Sequence, residues 1–395
     1  MRQSIVRIAC DACAMTPPTT SPTTSPATSP ATAASISWDQ ALGWRLGRQL
    51  LDQPGERSAS EVVQTLGAVL ATHPSSAELA VRSRQYRSRP GELAQALTEG
   101  TVIKTFAYRG AMHHLSAQDG GIYLALRAAG RQWELRSWVE FYRLTAQQWP
   151  RFRETVRDAL RDGPLTVPEL GARVTGRSSY KHLQPVFADD PWTLLKALCW
   201  QGDICFGPSV QGKPTFQRLD ANSHWAGIPT LDEAGPRAIL ACLHSYGPAT
   251  GEHIQHWFGE GLSAGRKRLE RWRTQLGDRL VPLDVDGTTT FAAAEDVESI
   301  LAAEPSDAVH FLPGHDQWVM GPGTKDTHVT PPPYRTAMTR QAGIVLRGGV
   351  VSGTWAVRGS ELHVSSPVQP AELQEQAERL VGLLGQDLEI HYTKA

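Results

Sequence analysis

From Ser37 onward apolar residues recur at helical spacing, and polar breaks divide them into short elements. "SWDQALGWRLGRQLL" (37–51) reads as a helix with Ser37 as its N-cap, and "SASEVVQTLGAVLA" (58–71) as a second, capped at Ser58 or Ser60. The second run breaks at Thr72-His73, and Pro74 suits the first turn of a third helix through Leu79 and Ala80. Further on, "DALRDGPLTVPELGARV" (158–174) predicts helix, Gly-Pro turn and helix, and "DPWTLLKALCWQG" predicts a third helix. "DICFGPSVQGKPTFQRLD" then alternates as two strands around a Gly-rich turn.

Three helices and a hairpin make a winged helix: the helices form a small core and the hairpin covers its open side. The order returns in "AGPRAILACLHSYGPATGEHIQHWFG" and "SAGRKRLERWRTQLGDRLVPLDVDGTTTFAA", with a hairpin closed at Asp286-Gly287. "DGPLTVPEL" and "YGPATGEHI" are thus equivalent corners of two copies. After residue 305 the texture changes. "AGIVLRGGVVSGTWAVRG" and "ELHVSS" read as antiparallel strands, and "PAELQEQAERLVGLLGQ" as a terminal amphipathic helix.

A chain of 395 residues is too long for one ordinary core. No apolar run approaches 18 residues, so no membrane span is expected. The net charge is −1, but the segment from Asp286 onward has 7 Lys and Arg against 14 Asp and Glu. That leaves the front basic by 6 charges, which permits a positive channel. Five scattered cysteines suit a reducing cytosol, and the lone Cys10–Cys13 pair lacks the further ligands of a zinc site. Arg7 and Asp11 interrupt any signal-peptide core, and the Thr/Ser/Pro/Ala repeats at 16–33 predict disorder.

Candidate chemistry is spread along the chain. "RKRLERWR" puts Arg266, Lys267, Arg268, Arg271 and Arg273 on the third helix of the last repeat, the element that commonly approaches a DNA groove. The alternative is a solvated face with Leu269 and Trp272 inward. "RSRQYRSRP" supplies Arg82, Arg84 and Arg87, and the wing "GPSVQGKPTF" offers Gln211 and Lys213 to a minor groove. His253 and His256 share a helix face, but no carboxylate or cysteine completes a set, so no metal is expected. His113 and His114 adjoin on a strand, so at most one enters a given site. Asp316 in "FLPGHDQWVMGPG" could orient a water or cap backbone amides.

Together these stretches resemble the HTH_42 winged-helix family, the AlkZ/YcaQ-like bacterial DNA glycosylases, over roughly residues 37–390. "KTFAYRGAMHHLSAQD" is similar to the family's "RTWxMRGTLHLV" at Thr105, Arg109, Gly110 and His113. "CFGPSVQGKPTFQRLD" resembles its second wing, "FLPGHDQWVMG" its "LLPxFDxxLLG" with Asp316 at the acid, and "VVSGTWAVR" its "VVGTWR" strands. The resemblance implies an α+β fold of three tandem winged-helix modules with a C-terminal β-rich region and terminal helix. The expected divisions are a head (1–36), modules at 37–150, 151–225 and 226–295, and the β-rich region (296–395).

It also implies hydrolysis of the N-glycosidic bond of alkylated purines, bulky ones included, in self-resistance to a DNA-alkylating antibiotic. The family's catalytic Gln-x-Gln lies in a segment written "LGAVQAQ". Here it reads "LGAVLAT", with Leu70 and Thr72 at the two positions. Leucine cannot polarise a water but can contact a bulky apolar substituent, whereas threonine keeps one hydroxyl. The candidate catalytic groups are Thr72, His73, His113 and Asp316, with Leu70 in the substrate pocket and Arg109 among the DNA contacts. No cofactor is implied. The expected partner is adducted double-stranded DNA, and the expected protein a cytoplasmic, nucleoid-associated monomer. A non-catalytic winged-helix protein that recognises adducts or duplex shape, or a transcriptional regulator, would use the same channel without the chemistry.

Overall fold

The helix–helix–helix–hairpin order occurs three times in a computed structural model of the chain, which describes residues 34–261 and 263–394. The Cys10–Cys13 pair and the repeats at 16–33 lie outside the described residues. A short strand β1 (Ser35–Ile36) and helix α1 (Trp38–Arg48) open the fold. Ser37 caps α1 through a capping box with Gln40.

The first repeat is α2 (Ala59–Leu66), β2 (Val69–Leu70), α3 (Pro74–Arg82), α4 (Glu92–Glu99), β3 (Val102–Phe106) and β4 (Met112–Ser116). Helices α5 (Gly120–Ala128) and α6 (Arg136–Tyr142) lead to the second: α7 (Trp149–Ala159), β5 (Leu165–Thr166), α8 (Val167–Thr175), α9 (Gln184–Ala188), α10 (Trp192–Trp200), β6 (Ile204–Val210) and β7 (Lys213–Arg218). The third comprises α11 (Leu231–Tyr246), α12 (Gly251–Phe258), α13 (Arg266–Leu276), β8 (Leu280–Val285) and β9 (Thr288–Ala293).

One pairing rule unites the three. The extended residues after the first helix bond the second strand of the hairpin: β2 to β4, β5 to β7, and Ala249 to Phe291 of β9. This closes each wing onto its helices. In the third repeat a Cβ at Gly235 of α11 would lie 2.1 Å from the buried Trp272 of α13, so only glycine permits that approach. Pairing of Lys104 with Phe206 joins the first two wings into one six-stranded sheet, ordered β2-β4-β3-β6-β7-β5.

The opening helix serves other parts of the fold. Trp38 and Trp44 pack with Leu283, Val285 and Ile300 of the third repeat and α14 (Val297–Leu301). Leu42 and Leu46 pack with Leu312, Trp318 and Ile344. The latter belong to the C-terminal region: β10 (Val309–Leu312), α15 (Gln317–Met320), α16 (Arg335–Thr339), β11 (Gly343–Arg347), β12 (Val350–Arg358), β13 (Glu361–Ser365), α17 (Pro370–Leu384) and β14 (Glu389–Thr393). Its five strands follow chain order in the sheet, and Leu373, Ala377 and Leu380 of α17 cover Val309, Val345 and Leu362. The α+β class with three winged-helix modules, a β-rich region and a terminal helix is the fold observed. No helix among the described residues is long and apolar enough to cross a membrane.

Candidate active site

The three corners that follow the first helix of each repeat are not alike. Thr166 ends β5 and is the N-cap of α8, with Glu169 completing a capping box; Thr250 does the same for α12 directly after Ala249. In the first repeat Ala71, Thr72 and His73 intervene between β2 and α3. His73 holds the N-cap position and makes no capping hydrogen bond. Thr72 and His73 are exposed, and the uncapped first turn presents the positive end of the helix.

Register decides what lies behind this corner. Leu70 pairs with His113, and His113 with Thr105, so these three share one sheet face; Val69, His114 and Lys104 share the other. His113 is buried, with its ring centroid 5.3 Å from that of Tyr108 in an edge-to-face arrangement and Nδ1 3.1 Å from the Ala111 carbonyl. A carbonyl only accepts, so the proton sits on Nδ1. Burial pushes its pKa down to about 3 and keeps the ring neutral. His113, expected among the catalytic groups, is thus a neutral imidazole packed behind Leu70.

Asp316 is also spoken for. Its two carboxylate oxygens accept from Nη1 and Nη2 of Arg84 at 2.9 and 2.7 Å, and one also accepts from the Trp318 amide at 2.8 Å. Both side chains of the pair are wholly buried. This corrects two expectations. Arg84 presents no surface to a phosphate, and the Asp316 carboxylate is committed to Arg84 and the Trp318 amide; it caps α15 and holds α3 to the C-terminal region. Arg84 also donates to the carbonyls of Gln49 and Ala80, which fixes the end of α1 against α3.

Above this bridge lies a gap of ≈ 10 Å³ lined by Leu70, Thr72, His73, His315, Asp316 and Gln341. That is the space of about one water. His73, Ser76, Pro313, Gly314 and Gln341 also border a groove of ≈ 680 Å³ that extends to Trp355 and Arg358. His315 and Gln341 have φ of 61° and 66°, a left-handed backbone that non-glycine residues adopt at a cost. Gly314 lies so close to the Gln341 carbonyl that a Cβ there would come within 2.1 Å of the oxygen. Sequence reasoning passed over Gln341, because "TRQAGIV" carries no motif and its backbone angle leaves no mark in the sequence.

The basic residues divide by what else they do. Gln211 and Gly212, with φ of 51° and 74°, turn the second wing, and residues 208–214 at its tip are exposed, Lys213 included. Arg266, Lys267, Arg268 and Arg271 are exposed on α13 while Leu269 and Trp272 point inward. Arg271 is paired with Asp232, Arg268 donates to the Ala264 carbonyl at 3.0 Å, and Arg273 lies 3.9 Å over Phe291. Arg266 and Lys267 carry no ion pair among the described residues. Arg87 is exposed beside Tyr86, whereas Arg82 donates to the Leu383 carbonyl at 2.6 Å and ties α3 to α17. Arg109, with φ of 50°, is exposed and reaches His256 Nε2 at 3.2 Å. His253 and His256 take separate carboxylates, Asp326 at 3.4 Å and Glu260 at 3.0 Å.

Three winged helices, basic side chains without ion pairs among the described residues on a wing and a third helix, and a one-water gap beside an exposed polar corner are the parts that a DNA-acting hydrolase needs. A family model described as "DNA glycosylase AlkZ-like" matches residues 63–388, and the chain belongs to that family. It is 34% identical over 336 residues to a protein of Streptomyces sahachiroi named "Interstrand DNA cross-link repair glycosylase", spanning 83% of this chain and 90% of that one. The solved structure of Streptomyces sahachiroi DNA glycosylase AlkZ superposes with a TM-score of 0.86 at 31% identity, covering 91% of this chain and all of that one.

Proposed function

We propose that this protein hydrolyses the N-glycosidic bond of bulky alkylated purines in duplex DNA, interstrand cross-links included, in self-resistance to a DNA-alkylating antibiotic. It acts as a monomer on nucleoid DNA. The carrying observation is the odd corner of the first repeat: exposed, uncapped and set over the one-water gap. Leu70 and Thr72 stand there in place of the family's two glutamines.

Alkylation at N7 or N3 makes the base cationic and a good leaving group, and the sugar gains oxocarbenium character as the bond breaks. The protein's task is to place a water and electron density beside that sugar. Thr72 can donate and accept one hydrogen bond, and His73 can accept the water's proton. Gln341 supplies a carboxamide to the same gap from the opposite wall. Leu70 supplies apolar contact to the substituent of the adduct. Lys213, Arg266 and Lys267 hold the phosphates.

The test is incubation of purified protein with duplexes carrying an N7-methylguanine or a bulky N7 adduct, followed by cleavage at abasic sites. Base release from the bulky lesion, reduced at least tenfold in Thr72→Ala and His73→Ala, is the expected result. Tight binding with no release from either duplex would establish the non-catalytic reading instead.

A further inference from the structure

A cavity of ≈ 350 Å³ lies between α4 of the first repeat and the hairpin of the second. That volume is within the range of small-molecule sites. Its floor is one rung of the shared sheet. His114 of β4 pairs with Lys104 of β3, and Lys104 pairs with Phe206 of β6, so the three side chains stand abreast on one face. Leu93 and Leu97 of α4 form one wall, and Pro208 and Pro214 of the wing form the other.

Among the described residues, two groups on this floor lack hydrogen-bond and ion-pair partners. The Lys104 ammonium lies 5.3 Å over the Phe206 ring and has no carboxylate partner among the described residues. Burial lowers its pKa. His114 is 4% exposed, its Nδ1 is buried with no hydrogen-bond partner, and burial holds the ring neutral, with a pKa of about 3. Three polar groups on the walls are engaged elsewhere. Asn222 donates to the Gly100 carbonyl at 2.8 Å, Thr98 to the Ala94 carbonyl at 3.0 Å, and Glu78 accepts from the Gly91 amide at 2.8 Å. An unpaired cation and an unpaired imidazole on an apolar floor cost free energy that an acceptor would recover.

We propose that this cavity binds a small anionic aromatic molecule, its flat body between the leucine and proline walls and its carboxylate on Lys104 and His114. Inorganic phosphate matches the charge but not the walls, and a neutral aromatic matches only the walls. The site is separate from the proposed catalytic gap. Ala71 and Pro74 border the cavity, whereas Leu70, Thr72 and His73 border the gap, so an occupant sits behind the catalytic corner.

The full chain is titrated calorimetrically with biphenyl-4-carboxylate, biphenyl-4-carboxamide and inorganic phosphate. The carboxylate binds, and the other two bind roughly tenfold more weakly or not at all, as loss of a charge-assisted hydrogen bond requires. Lys104→Met removes the preference for the carboxylate and Lys104→Arg retains it. Ala94→Trp, at an exposed position on the cavity wall, blocks binding without touching the charge, and decides the matter if Lys104→Met does not fold. No binding at millimolar carboxylate, or binding unchanged by Ala94→Trp, overturns the proposal.

Discussion

The guanidinium of Arg84 and the carboxylate of Asp316, 232 positions apart in the chain, meet in a two-pronged contact of 2.7 and 2.9 Å with no solvent exposure. A buried pair of this kind stabilises little relative to apolar residues of the same size, but half of it is a serious liability. Asp316→Asn should therefore cost about 3–5 kcal/mol of unfolding free energy. The double variant Arg84→Met/Asp316→Leu should cost less than the single one. Urea unfolding of the three proteins checks the order; a double variant worse than Asp316→Asn would mean that the pair is net stabilising.

Three buried or largely buried histidines make stability fall in acid. His113 and His114 titrate near 3 in the folded chain, and His253 near 4, against about 6.5 when unfolded. Between those limits the unfolded chain holds more protons. Folding free energy is thus fully present above pH 6.5 and is lost as pH falls toward 3, by at most about 1.4 kcal/mol per pH unit for each ring. His114→Gln should flatten the slope of denaturation midpoint against pH between 6 and 4. An unchanged slope would show the ring to be protonated in the folded state.

DNA affinity should depend on the exposed cations that carry no ion pair among the described residues. Lys213→Ala, Arg266→Ala and Lys267→Ala should each lower the slope of log affinity against log salt by about 0.9, one phosphate contact apiece. Arg271→Ala, which also frees Asp232, should change it less. Fluorescence anisotropy over a salt series separates these outcomes. Equal effects of all four variants would remove the distinction between paired and unpaired cations.

Leu70 tests whether the corner is shaped for large adducts. Leu70→Gln places a carboxamide at the position that, by resemblance, corresponds to the family's first glutamine. It should raise release of N7-methylguanine and lower release of a bulky N7 adduct, because it exchanges apolar contact for polarity. Parallel loss on both duplexes would mean that Leu70 serves packing against His113 alone.

Gly314→Ala probes the opposite wall. The added methyl meets the Gln341 carbonyl, so the loop must shift, at about 1–3 kcal/mol. Base release should fall by more than the lost stability explains at temperatures where the variant remains folded. Activity unaffected in the folded variant would remove Gln341 from the site.

Much of the fold was legible because it rests on local signals. The Gly-Pro corners, the Asp286-Gly287 turn and the Ser37 cap each act within a few residues, and the repeated order of elements gave the winged helices. The junction at Thr72-His73 was visible as a polar break, and its place in the family's motif was visible by resemblance. Its contrast with the capped corners at Thr166 and Thr250 needed the strand pairings, which place Ala71 and Thr72 as extra residues ahead of the N-cap position at His73. Arg84, and Asp316 as a water-orienting acid, misled for a related reason, while the cap expected of Asp316 is observed. Each looks like a surface group in its own stretch, and only the meeting of two distant stretches buries both. Gln341 was invisible because its role comes from a backbone angle and from Gly314 opposite.

The pairing of Lys104 with Phe206 gives the chain a property that its repeats conceal. Beads on a string can be cut apart between beads, but here β3 and β6 are neighbours in one sheet. A fragment ending after the first repeat would carry β3 as a bare strand edge, open to pairing with another copy. The first two modules therefore form a single mechanical part, and a force on the tip of the second wing acts on the strands that carry His113 and Leu70. Three copies of one helix-and-hairpin pattern make up the front of the chain, and the pairing of β3 with β6 ties the first two together.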